Sequence, residues 1–164
     1  MLCGGCGGAA VIPLVEQAGI PITVTPAHSL PLEVITRKNA SVRDPLPVRG
    51  SFVSFTEVEA ALGHAVSSAS VPWAAAHMRA RPEGWQLELE LIAADAPEHG
   101  REVTVSLDVR ATLRTRTGNR YLAQTQAHCQ RSAVVAPRAA APVMFACMTR
   151  VGRELGGWLG GISP

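Results

Sequence analysis

The sequence predicts an α+β fold in which two helices pack on one face of a mainly antiparallel sheet, in the order β-β-α-β-β-β-α. Three observations carry this expectation: long period-two stretches fill the centre of the chain, a capped amphipathic helix precedes them, and a second amphipathic stretch closes it. At 164 residues and 47% hydrophobic, the chain can bury one core but is short for two. Residues 21–162 are therefore read as a single domain, and residues 1–20 as a leader remnant and flexible tether.

Prolines at 13, 21, 26, 31, 45 and 47 keep most of the first fifty residues out of helix, because each lacks an N–H and pushes its predecessor toward extended backbone. Between them, Ile22–Thr25 and Leu32–Arg37 read as short strands. Ser54-Phe55-Thr56-Glu57 has the spacing of a capping box, with Val53 and Val58 placed as a hydrophobic staple. Phe55, Val58, Leu62, Ala65, Val66 and Ala69 then recur at helical spacing and form one apolar stripe. Pro72 is expected to end or break this helix.

Trp85, Leu87, Leu89 and Leu91 alternate with Gln86, Glu88 and Glu90, as in a strand with one solvated face. Asp95–Gly100 reads as a turn. Val103 to Leu113 alternates with Thr104 to Arg114 over a long strand, and Thr117-Gly118-Asn119 turns it into a partner strand over Tyr121–Val135. These three strands form an antiparallel meander. After a loop at Ala136–Pro142, Met144, Met148, Val151, Leu155, Trp158, Leu159 and Ile162 mark the closing helix. Its Gly152, Gly156 and Gly160 fall four apart and stack on one face, where another backbone can approach, either the chain's own sheet or a partner.

Charge divides the chain. The net charge is only +2, yet residues 1–100 carry ten acidic and six basic side chains, whereas 101–164 carry nine arginines against Glu102, Asp108 and Glu154. Arg110 and Arg114 share one strand parity, and Arg116 and Arg120 flank the following turn. This edge either pairs with Glu88 and Glu90 across the sheet or meets a partner. With one tyrosine and no aromatic residues interleaved with the arginines, a nucleic-acid surface is not expected. The apolar stretch Val143–Ile162 is interrupted by Arg150, Arg153 and Glu154, so it does not read as a membrane span.

Chemistry-bearing residues are sparse. The five histidines are scattered, and neither HExxH nor GxSxG occurs, so no catalytic residue, cofactor or metal site is assigned and the protein is read as a non-enzyme. Cys3-Gly4-Gly5-Cys6 has the spacing of a dithiol or zinc half-site, but no second CxxC and no following amphipathic helix support it. Cys129 lies on the apolar parity of the last strand, and Cys147 lies on the apolar face of the closing helix. Face-to-face packing would bring them together, as a disulfide in an exported protein or as two buried thiols otherwise.

Leu2-Cys3-Gly4-Gly5-Cys6 is similar to the end of a bacterial lipoprotein signal, with Cys6 at the acylated position and Cys3 where leucine is usual. A tether, early strands, a helix, a long meander and a terminal helix, over roughly residues 20–162, resemble the ABC-type transport auxiliary lipoproteins and the lipopolysaccharide-assembly lipoprotein. The resemblance implies a non-enzymatic protein, anchored through Cys6 on the periplasmic side of an outer membrane, that docks onto a larger transport or assembly complex. Gly152, Gly156, Gly160, Arg110, Arg114, Arg116 and Arg120 are the candidate partner-binding residues. Two other readings stay open: a small redox or metal-binding protein using Cys3 and Cys6, and a soluble subunit of a larger assembly without lipid.

Overall fold

The computed structural model describes residues 10–11, 32–48, 51–77, 84–116, 120–134 and 141–163. The element order is β1 (Ala10–Val11), β2 (Leu32–Lys38), β3 (Leu46–Val48), β4 (Ser51–Val53), α1 (Phe55–His77), β5 (Trp85–Asp95), β6 (Glu98–His99), β7 (Glu102–Thr115), β8 (Tyr121–Val134) and α2 (Ala141–Gly160). The predicted strand at Ile22–Thr25 and the Cys3–Cys6 motif lie outside the described residues.

The main sheet runs β2-β5-β7-β8, with β6 continuing the β5 side of β7. β5, β7 and β8 are antiparallel neighbours, as the alternating pattern predicts, and β2 joins β5 in parallel. A parallel neighbour needs a crossover, and α1 lies on the path from β2 to β5. The alternating residues Trp85, Leu87, Leu89 and Leu91 on β5, and Val103 through Leu113 on β7, are all buried under the two helices. Ala127 and Cys129 complete this face on β8.

The N-terminus of α1 forms as its sequence requires. The Ser54 N–H and Oγ donate to Glu57 Oε2 at 2.9 and 2.8 Å, and the Glu57 N–H points back to Ser54 Oγ at 3.4 Å. Asp44 adds a second cap by accepting the Phe55 N–H at 3.0 Å. Ser54→Ala removes the hydroxyl while Asp44 remains, so a loss of about 1 kcal/mol is expected from a urea melt.

Pro72 neither ends nor breaks α1, which continues to His77. The side chain of Pro72 faces solvent, and Ser68, whose carbonyl loses its helical donor, is exposed to water. Trp73 holds the last turn down: it is buried, its Nε1–H donates to the Ile162 carbonyl at 3.1 Å, and its ring meets Trp85 edge-on at 5.5 Å. Tertiary anchoring thus outweighs the local cost of the proline.

A second small sheet, β1-β4-β3, was not expected from the sequence. β3 and β4 pair antiparallel, and Ala10 and Val11, inside the stretch read as a tether, pair in parallel with Ser51 and Phe52. Three-residue strands carry too little alternation to be visible, and Pro47 within β3 hides the element further.

Candidate binding face

The face of the main sheet away from the helices is polar. Residues of opposite parity to the core line up across strands: Gln86 opposite Arg114, Glu88 opposite Thr112, Glu90 opposite Arg110, and Asp108 opposite His128. Because β2 adds Glu33, Ile35 and Arg37 beside Gln86, Glu88 and Glu90, acidic and basic side chains interleave over neighbouring strands. Arg110 Nη1 donates to Glu90 Oε2 at 3.0 Å, and Asn39 Nδ2 donates to Glu90 Oε1 at 3.2 Å. Arg116 pairs with Glu33 at 3.3 Å, Arg37 with Glu88 at 3.5 Å, and His128 Nδ1 lies 2.8 Å from Asp108 Oδ1. All are partly exposed to water, so each contributes at most about 1 kcal/mol and chiefly neutralises the face.

The predicted arginine edge therefore separates into different roles. Arg110 and Arg116 are engaged by carboxylates of the chain itself. Arg114 has a buried Nε with no hydrogen-bond partner, and with Glu88, Glu90, Arg110, Thr112, Tyr121 and Gln124 it lines a shallow cavity of about 210 Å³. That volume is smaller than a typical small-molecule pocket and suits one side chain or a few waters. Arg120 is exposed, and its carbonyl accepts the Thr115 N–H at 3.1 Å.

The predicted glycine face also divides. A Cβ added at Gly152 would lie 2.7 Å from the Ala65 carbonyl carbon, and one at Gly156 would lie 2.6 Å from Ala69 Cβ. These two glycines are therefore closed by α1 and do not face a partner, which corrects their assignment as a docking surface. The spacing was legible, but its occupant was not: α1 presents Ala65 and Ala69 four residues apart, so two small-residue ridges meet. Pairing of Ala65 with Gly152 and Ala69 with Gly156, with Trp73 bonded to Ile162, shows that the helices run side by side in the same direction. Gly160 has nothing within 4 Å of an added Cβ and stays exposed.

Cys129 on β8 and Cys147 on α2 are joined as a disulfide with a Cα–Cα distance of 5.5 Å. Both residues are buried, so the bond ties the outer strand of the sheet to the helix above it. Cys6, the candidate lipidation site, lies outside the described residues. Among the described residues no group of three or more His, Cys, Asp or Glu side chains is placed to hold a metal ion, and no helix is long and apolar enough to cross a membrane. The ion pairs that β2 brings, Arg37–Glu88 and Arg116–Glu33, escaped sequence reading because they depend on the parallel register of β2 against β5.

No protein-family model and no curated protein matches the chain. Solved structures do. A Xanthomonas campestris protein of the DUF330 family is similar over 84% of this chain and 87% of its own, at 17% identity and a TM-score of 0.54. A candidate lipoprotein from Caulobacter crescentus is similar over 82% of this chain and 93% of its own, at 13% identity and a TM-score of 0.49. A hypothetical protein from Chlamydia trachomatis covers 80% and 93%, respectively, at 16% identity and a TM-score of 0.46. At 17% identity, the likeness to the Xanthomonas protein shows a shared fold and nothing finer.

Proposed function

We propose that this chain is a non-enzymatic accessory lipoprotein of the bacterial cell envelope, anchored through acylated Cys6 on the periplasmic side of the outer membrane, that binds and supports a larger transport or assembly complex. The observation that carries the reading is the buried Cys129–Cys147 disulfide, because structural disulfides form and persist in oxidising compartments such as the periplasm. A domain stapled in this way, preceded by the glycine-rich Cys6 segment, suits a tethered binding module. The open sheet face, with its charges mutually paired and a shallow trough at Arg114, supplies a polar surface for a protein partner.

Expression in a Gram-negative host with the natural DNA upstream of Met1 retained tests the anchor by intact mass. The expected product begins at Cys6 and carries a diacylglyceryl group plus an N-acyl chain, and it fractionates with membranes. Cys6→Ser should abolish the mass increment and move the protein to the soluble fraction. An unprocessed N-terminus with titratable Cys3 and Cys6 thiols would replace this reading with dithiol chemistry.

A further inference from the structure

The two edges of the main sheet are unlike. β2 has seven residues and carries Glu33, Arg37 and Lys38, the charges that usually keep an edge from pairing with another chain. β8 has fourteen residues, YLAQTQAHCQRSAV, with no proline and with Arg131 and His128 as its only ionisable basic groups. Among the described residues it pairs on one side only, with β7. An edge of this length presents a row of backbone donors and acceptors. The exposed large hydrophobics among the described residues are Tyr121, 54% exposed, and Val134, 75% exposed, which stand at the two ends of this same strand.

We propose that two copies of this chain join their sheets along β8, antiparallel, about a two-fold axis that passes through His128. An axis perpendicular to the sheet keeps the open faces together, so only residues of like parity can stand opposite one another. Centred on His128, Gln124 faces Ser132 of the second copy, Gln126 faces Gln130, and His128 faces itself. Each His128 is already bonded to its own Asp108. On the helix side, Thr125 faces Arg131 and Ala127 faces Cys129. No two arginines meet.

The register explains the exposed ends. β7 and β8 shift by one residue between Leu113 and Arg114: Leu113 stands opposite Ala123, but Arg114 stands opposite Tyr121. Tyr121 thereby takes the open-face position that Leu122 would otherwise hold. In the joined sheet that position lies opposite Val134, itself on the open face beside Glu102. The two exposed apolar side chains cover one another, once at each end of the seam. A strand centred elsewhere leaves both uncovered.

The 164-residue chain carrying Cys3→Ser and Cys6→Ser, which removes unrelated cross-linking, should give a light-scattering mass twice 17.3 kDa at high micromolar loading. Gln126→Lys with Gln130→Lys sets like charges opposite each other across the seam, and should halve that mass while leaving the circular dichroism spectrum unchanged. Gln126→Lys with Gln130→Glu sets opposite charges there and should keep the dimer. Under mild oxidation His128→Cys should cross-link to itself, while Ser132→Cys, which would face Gln124, should not. A monomeric mass for the parent chain, a dimer that survives the two lysines, or equal cross-linking at 128 and 132 would overturn the proposal.

Discussion

Replacing both Cys129 and Cys147 with alanine is expected to lower the free energy of unfolding by about 3 kcal/mol, and the melting midpoint by on the order of 10 °C for a chain of this size. The bond closes a loop of sequence separation 18, so its main effect in the chain-entropy account is to restrict the unfolded ensemble. It joins β8 to α2, and those elements also pack against each other within the buried core; the native fold should therefore survive its loss. Urea melts under oxidising and reducing conditions provide the check. The parent chain in excess reductant should approach the double variant, whose own midpoint should not respond to reductant. Equal midpoints for the oxidised parent and the variant would remove the disulfide from any account of this protein's stability.

Adding a single methyl group to α2 should have opposite consequences at adjacent positions. Gly156→Ala places a Cβ 2.6 Å from Ala69 Cβ and 2.8 Å from the Ala69 carbonyl oxygen. Backbone cannot turn aside as a long side chain can, so the helices must separate, at a cost of about 1–3 kcal/mol. Gly152→Ala meets the Ala65 backbone at 2.7 and 2.8 Å and should cost a similar amount. Gly157→Ala meets nothing within 4 Å and should stabilise by up to about 1 kcal/mol, because alanine loses less backbone freedom than glycine on entering a helix. Chemical denaturation of the three variants measures this divergence, and stabilisation by all three would show that the helices do not pack through these glycines. Gly156→Ala combined with Ala69→Gly should recover part of the loss, since the shortest contact disappears while the carbonyl contact remains.

Much of the scaffold was legible because it rests on local rules. The alternation of Trp85 to Leu91 and Val103 to Leu113 identifies which side chains must leave water, and the structure buries all of them. Ser54 and Glu57 mark the start of α1 because four N–H groups there need acceptors that the helix itself cannot provide. Pro72 misled because its effect on a helix depends on which side faces water and on how firmly the next turn is anchored. That anchor, Trp73 to Ile162, spans elements far apart in sequence.

The surface was less legible than the core. Apolar burial needs only the correct parity, whereas an ion pair needs a register, and the parallel placement of β2 beside β5 is not written in either strand. Arg110 found the carboxylate its parity suggested, Glu90, but Arg116 found Glu33 on a strand two positions across the sheet. The glycine ridge of α2 was visible as a place of close approach, yet its occupant, the alanine ridge of α1, emerged only when both helices lay on the same sheet face.

From its sequence alone this chain is committed to a period-two meander, a capped amphipathic helix and a glycine-ridged closing helix, because backbone periodicity and solvent exclusion act over a few residues at a time. Only the tertiary structure decided that β2 runs parallel to β5, that Gly152 and Gly156 face inward, that Cys129 reaches Cys147, and that β8, whose one arginine is Arg131, is left as a long edge. Each of those outcomes depends on groups distant along the chain meeting in one register, and that is settled by packing the whole core at once.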